Sequence, residues 1–343
     1  MKSILFYGPE DIRYEEIAKP EPKNGEVLVK IIYAATGGTD LKTYLRGHPR
    51  IIKEIPSRFG YELIGEIEEI GMDVEGFRRG DIVVPANTAP CFKCFFCKKE
   101  EYSLCKNLEF LNGSFSEYII IPAKIVKHNL YKVEERQDLD SLCMTQTLAV
   151  ALHGFERSKI KDKDVVVIYG LGAIGQCFIK LCKAFRDCEV IALGRSEHKL
   201  KLAQENGADK SINISGLNGK EIEQTLKKEH KYGADVVIEA VGKEEAWQNC
   251  INLVRAGGLI NYFGGCTKGS SINLDTYRVH YEEIKIIGVF HHSPYFIQKA
   301  FELIASKQID MKNLISEELR LKDLKVALEK HRQGQVFKIL IKV

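Results

Sequence analysis

Hydrophobic and polar positions follow two different rhythms along this chain. In the first third, short runs of β character, from Ser3 to Tyr7, Val27 to Tyr33, Ile64 to Ile70 and Ile82 to Val84, are punctuated by Gly8-Pro9, Asn24-Gly25, Gly71 and Gly80-Asp81. This pattern predicts a small, barrel-like β domain. From Lys163 onward, strand-like runs alternate with helical periodicity: Val165 to Tyr169, Glu189 to Leu193, Lys210 to Ile214, Asp235 to Glu239, Leu259 to Phe263 and Ile284 to Phe290. Such alternation predicts an α/β fold with a parallel, doubly wound sheet. Between the first two of these strands, Ile174, Phe178, Leu181, Cys182 and Phe185 recur at helical spacing and give a helix one apolar face. After Pro294 an amphipathic helix is expected, then a second from about Leu321 to His331 and a closing strand from Val336 to Ile341 that returns to the first domain. The change of pattern places the expected domains at residues 1–145, 146–290 and 291–343, the last a return to the first.

With 343 residues, 45% of them apolar and 28% charged, the chain has the composition of an ordinary globular protein with room for two cores. A net charge of +3 is spread over interspersed acids and bases, without a basic stripe that would track a phosphate backbone, so nucleic acid is not an expected partner. No apolar run approaches a membrane span, and the N-terminus reaches Gly8-Pro9-Glu10-Asp11 before a signal-type apolar region develops. These features predict a cytoplasmic protein with no membrane partner. Of its ten cysteines, four crowd one short segment and six are scattered through apolar stretches, as reduced core thiols are.

Gly170-Leu171-Gly172-Ala173-Ile174-Gly175 follows the run from Val165 to Tyr169 and opens the predicted helix. In that context Gly170 allows the tight turn, Gly172 lets backbone approach a pyrophosphate, and Gly175 lets helix and strand pack closely, with the anion at the helix N-terminus. An NAD site ends its second strand with an acid that grips the ribose hydroxyls; here the run ends Gly194-Arg195-Ser196. The carboxylate is replaced by a guanidinium fork and a hydroxyl, which favours NADP(H) over NAD(H). Lys199, Val241, Gly242, Phe263, Gly264 and Val289 complete this candidate cofactor set.

Cys91-x-x-Cys94-x-x-Cys97 followed by Cys105 supplies four soft ligands in one short segment. A closed four-thiolate shell suits one structural zinc and leaves no position open for substrate. A ferredoxin-type cluster would call for a shorter last gap followed by proline, where this chain has seven residues and then Lys106.

Taken together, these features resemble the zinc-containing medium-chain dehydrogenase/reductase family of alcohol, polyol and threonine dehydrogenases. The resemblance also rests on Gly37-Gly38-Thr39-Asp40, Gly60-Tyr61-Glu62, Gly80-Asp81, Ser114-Phe115-Ser116-Glu117-Tyr118 and Asp235 to Gly242. It implies a GroES-like catalytic domain built from both chain ends, a central Rossmann domain, an active site in the cleft, and a homodimer or homotetramer. It also implies a catalytic zinc, and there the residues depart from the pattern. The family's ligand Cys falls on Gly37, its ligand His on Tyr61, and a frequent third ligand, Glu, on Gln146. One retained carboxylate, Glu62, cannot hold the ion, so the catalytic zinc site is expected to be vacated.

Something must then replace the metal's charge. Tyr61 is the first candidate donor, with filling of the vacated volume as its other reading. Thr39 matches the family's proton-passing hydroxyl, Asp40 the residue that orients the lost His, and Lys42 is a possible end to the relay or a surface lysine. His291 and His292, in Phe290-His291-His292-Ser293-Pro294, fall where the family brings backbone close to the nicotinamide, and a similar stretch occurs in some bacterial relatives with sugar-like or unknown substrates. The expected activity is hydride transfer on a small-molecule polyol-like or cyclitol-like alcohol or ketone, or on an unsaturated carbonyl. Two alternatives stay open: a dinucleotide-binding protein without turnover, and a zinc enzyme with a rearranged site of Glu62 with His291 or His292.

Overall fold

A computed structural model describes residues 1–134 and 138–343. The chain divides into two compact units, one of residues 1–149 with 292–343 and one of residues 150–291.

The first unit is β-rich. Val27–Ala35 forms its spine, pairing antiparallel with Leu63–Ile70, with Tyr118–Ile121 and with the closing strand Lys338–Lys342. These belong to a seven-stranded sheet, and a three-stranded sheet built on Lys2–Gly8 stands beside it in the chain. Strand side chains alternate between faces. Val27, Val29 and Ile31 of the spine and Ile339 and Ile341 of the closing strand enter one core together with Phe6, Phe59 and Phe115. The alternation that commits Ile339 and Ile341 to this core turns Lys338 to the opposite face. The stretch after Gly37, to which hydrophobic periodicity assigns no element, is a helix, Gly38–Arg46. Asp40 explains it: the N3 carboxylate accepts the Gly37 backbone N–H at 2.8 Å, holding the first turn closed.

The second unit is a six-stranded sheet, all parallel, in the order Lys210–Asn213, Glu189–Gly194, Val165–Tyr169, Ala234–Glu239, Val254–Tyr262, Lys285–Gly288. The fifth strand starts earlier than its apolar pattern suggests, because Val254 pairs with Ala234 ahead of a register shift. Helices connect successive strands, and the order reverses between Val165–Tyr169 and Ala234–Glu239, the place where open sheets of this class open a crevice for ligands. The helix Ala173–Phe185 buries Phe178, Leu181 and Cys182.

Close approach at the start of that helix depends on Gly175, where an added Cβ would stand 2.0 Å from the Gly170 carbonyl oxygen. A Cβ on Gly172 meets nothing within 4 Å. Gly175→Ala is therefore expected to lose about 1–3 kcal/mol of stability through overpacking, while Gly172→Ala keeps an unfolding midpoint near that of the parent chain; urea denaturation followed by far-ultraviolet circular dichroism checks both.

Candidate functional site

The residues of interest form two groups, one in each unit. In the sheet unit, Gly170 takes φ of +105°, a turn that a side chain would resist, and Gly172 begins the helix from extended backbone with no side-chain cap. The first-turn amides of Ala173–Phe185 are thus left to whatever lies beyond them, and the empty space over Gly172 gives an anion room to reach them. A cavity of about 290 Å³ opens at this place. It gathers Gly170, Leu171, Gly172, Gly194, Arg195, Ser196, Lys199 and Val241 from the candidate cofactor set, whereas Ala173, Ile174, Gly175, Gly242, Phe263, Gly264 and Val289 do not line it. Gly242 and Gly264 instead close a turn behind it: Glu239 Oε1 accepts the Val241 and Gly242 N–H groups, each at 2.8 Å. A Cβ on Gly264 would come within 2.5 Å of Glu239 Oε2.

At the end of the second strand Arg195 and Ser196 are both beside the cavity, and Ser196 Oγ shares a 2.7 Å hydrogen bond with His198 Nδ1. Burial lowers the pKa of Lys199 from its ordinary value. Sequence reasoning missed Lys243 and Glu245, which also line the cavity. Their signal was their place just after the strand that ends at Glu239, one strand across the reversal.

In the β-rich unit, Thr39, Asp40, Tyr61 and Glu62 come together around a partner that the sequence reading passed over. Lys338 Nζ donates to Glu62 Oε2 at 2.6 Å, and Thr147 Oγ1 donates to Glu62 Oε1 at 2.9 Å. Both ends of the salt bridge are buried, with side chains 6% and 3% exposed, so its field is little screened. An added Cβ on Gly37 would lie 3.0 Å from Lys338 Nζ and 3.8 Å from Asp40 Oδ2. The ammonium therefore sits where the Gly37 side chain would have been. Asp40 has its carboxyl pushed up to about 7, first by desolvation, with the Lys338 charge pulling down and Glu62 pushing up. Burial raises the Tyr61 phenol well above its usual 10; Asp40 and Glu62 add to this, and a hydrogen bond with Thr39 opposes it. Tyr61 and Thr39 are half-buried, Gln146 is half-buried on the helix Thr145–Ser158, and Lys42 is exposed. A lysine in the middle of the apolar run from Val336 to Ile341 was the signal available for Lys338.

The two neighbouring histidines separate in role. His291 adopts φ of +60°, and its carbonyl oxygen accepts from Nδ1 of the largely buried His153 at 2.9 Å, which fixes the proton on that nitrogen. His292 is buried, with Nε2 2.6 Å from Asn87 Oδ1. Among the described residues, the cysteine cluster is the one group of three or more potential ligands close enough to hold an ion, and Glu62 belongs to no such group. The four Sγ atoms lie within 4.8 Å of one another, with Cys91–Cys97 at 4.0, Cys94–Cys97 at 3.6 and Cys94–Cys105 at 3.9 Å. A tetrahedron with zinc–sulfur bonds of about 2.3 Å has edges of about 3.8 Å, so the thiols fit zinc. Backbone N–H groups of Cys97 and Lys106 lower the Cys94 thiol to about 6, toward the thiolate that a metal requires.

Comparison with known proteins shows the family. The alcohol dehydrogenase GroES-like domain profile matches residues 23–132, and the zinc-binding dehydrogenase profile matches residues 173–306. An erythritol/L-threitol dehydrogenase of Mycolicibacterium smegmatis is 30% identical over 98% of this chain and 95% of its own length. A sorbitol dehydrogenase of Bacillus subtilis is 27% identical over 99% and 97%. Among solved structures, a Sinorhizobium meliloti protein described as a zinc-binding dehydrogenase, bound to NADP, superposes with a TM-score of 0.91 at 25% identity, covering 100% of this chain and 99% of that one.

Removing one member of a buried ion pair strands the other. Lys338→Met is expected to cost about 3–5 kcal/mol of unfolding free energy, and the double variant Glu62→Gln/Lys338→Met to cost less than that single change, as read from urea unfolding. Asp40 gives a pH signature. Its folded pKa of about 7 lies above the ordinary 3.8, so the native state holds the extra proton in between. The stabilisation it confers is complete below pH 3.8 and is lost as pH rises through 7. Asp40→Asn, compared with the parent chain across pH 4 to 8, should flatten that part of the stability profile.

Proposed function

We propose that this chain, which belongs to the zinc-type medium-chain dehydrogenase/reductase family, is an NADP(H)-dependent dehydrogenase of polyols and their ketones that works without a catalytic metal and carries one structural zinc on Cys91, Cys94, Cys97 and Cys105. Membership in the family makes it an NAD(P)-dependent alcohol dehydrogenase/reductase-like enzyme. The polyol class is supported by the named activities of the relatives, and NADP by the Gly194-Arg195-Ser196 ending and by the Sinorhizobium meliloti structure.

The buried bond between Glu62 and Lys338 carries the metal-free reading. Of the positions where the family places ligands, Gly37 has no donor, and Tyr61 and Gln146 offer weak neutral ones. The remaining carboxylate has one oxygen on an ammonium and the other on the Thr147 hydroxyl. A dication arriving there would displace Lys338 and be held by one strong ligand, short of the three that a catalytic zinc needs.

When bound, NADP supplies the two-electron chemistry at its nicotinamide ring. The chain supplies the rest. Gly170, Gly172 and the first turn of Ala173–Phe185 suit the pyrophosphate, and Arg195, Ser196 and Lys199 suit the 2′-phosphate. Tyr61, whose phenol stays protonated through neutral pH, serves as hydrogen-bond and proton donor to a substrate oxygen that gains negative charge during carbonyl reduction. Thr39, which bonds Tyr61, relays from solvent the proton that replaces the one Tyr61 donates in carbonyl reduction; in alcohol oxidation the relay runs outward, Tyr61 giving its own proton through Thr39 to solvent as it takes the one from the substrate hydroxyl. The Lys338 ammonium lies in the same neighbourhood, held by Glu62 at 2.6 Å.

Steady-state assays with NADP and NAD over a panel of sugar alcohols and ketoses test this reading. Turnover with tighter binding of NADP is expected, Tyr61→Phe should lower kcat by about 10²-fold or more, and a mild chelator should leave turnover intact while elemental analysis returns about one zinc per chain, from the four-thiolate count. Tighter binding of NAD, or turnover abolished by the chelator and restored by zinc, would contradict it. Silence over the whole panel would favour a cofactor-binding protein without turnover.

A further inference from the structure

The wall of the nucleotide cavity is basic, with Arg195, Lys199 and Lys243, and it contains one acidic residue, Glu245. Its carboxylate does not point away from the basic group. Glu245 Oε1 accepts from Arg195 Nη2 at 2.9 Å, across fifty residues of sequence. Glu245 stands in the first turn of the helix Glu244–Leu253, where the helix dipole favours a negative charge, directly after the strand Ala234–Glu239. Arg195 follows the strand Glu189–Gly194, at whose last position an NAD site would carry its acid and this chain has glycine. A carboxylate has thus been restored to this corner from a different element, and it binds the very guanidinium expected to read a phosphate.

We infer that Glu245 is a specificity-determining residue that competes with the cofactor 2′-phosphate for Arg195 and so narrows the preference for NADP(H) over NAD(H). The inference rests on the reading of Arg195 as a phosphate reader. In the free protein Arg195 is held by the Glu245 carboxylate; a 2′-phosphate, with about twice the charge and three acceptor oxygens, takes over that fork and leaves Glu245 facing a dianion at short range. NAD(H), which has a hydroxyl at that carbon, leaves the ion pair in place. Both side chains are about half exposed, at 54% and 57%, so the competition is screened and its size moderate.

The test is calorimetric titration of NADP and NAD, each into the parent chain, Glu245→Gln, Arg195→Ala and the double variant. Glu245→Gln keeps the shape of the side chain and removes its charge. It is expected to tighten NADP binding by about three- to fivefold, the effect of one screened charge, with NAD changed by less than about twofold. In the Arg195→Ala background the same change should alter NADP binding by less than about twofold, and higher salt should shrink the gain. NADP binding unchanged or weakened in Glu245→Gln, an equal gain for NAD, or a gain that persists without Arg195 would each overturn the inference. The cofactor reading fails separately: a parent chain that binds NAD more tightly contradicts it, whichever way Glu245→Gln moves the ratio of the two affinities.

Discussion

Two buried carboxylates, Asp40 and Glu62, share one neighbourhood with a single buried ammonium, Lys338, and this imbalance of charge constrains every residue packed around them. A charge without water has to be paired or neutralised. Glu62 is paired, by Lys338 at 2.6 Å and by the Thr147 hydroxyl. Asp40 is served by the Gly37 backbone and by a carboxyl shifted to about 7. The same arrangement explains why glycine suits position 37: a Cβ there would press on the ammonium at 3.0 Å. Thr147 lies on a helix, Glu62 just before a strand, and Lys338 on the closing strand, so the Glu62 carboxylate ties together three distant parts of the sequence.

The sheet unit obeys a different constraint, that of backbone approach. Gly170 turns, Gly172 leaves space, and Gly175 allows the helix to settle where an added Cβ would stand 2.0 Å from the Gly170 carbonyl oxygen. These three demands are geometric and hold with any cofactor. The residues proposed to distinguish one cofactor from another are at the next strand end, where Gly194 carries no carboxylate and Arg195 follows with a guanidinium. In the proposed function one unit presents uncapped amides and cations to the cofactor phosphates, and the other a protonated phenol to a substrate oxygen.

Much of the fold was legible because its signals are local. Six strand-like runs separated by helical periodicity specify a parallel sheet, and the glycine motif has meaning only at the strand-to-helix junction where it occurs. The helix Gly38–Arg46 was not legible, since its start depends on a side chain, Asp40, bonding the backbone three residues earlier, and its apolar positions are few. The chemistry divides in the same way. Four cysteines in one short segment announce themselves, and the replacements at Gly37, Tyr61 and Gln146 are visible once the family pattern is laid over the chain. Lys338 and Glu245 were not found because each acts on a residue far away in sequence, 276 positions in one case and 50 in the other. Spacing along a chain says nothing about such pairs until the fold closes them.

The central claim is that a lysine, and no metal, holds the last carboxylate of the catalytic neighbourhood. Diffraction from crystals grown with zinc and NADP, recorded on both sides of the zinc absorption edge, addresses it most directly. The account predicts one anomalous peak per chain, among Cys91, Cys94, Cys97 and Cys105, with Lys338 Nζ still on Glu62. A second full peak bonded to Glu62, with Lys338 displaced, would contradict it.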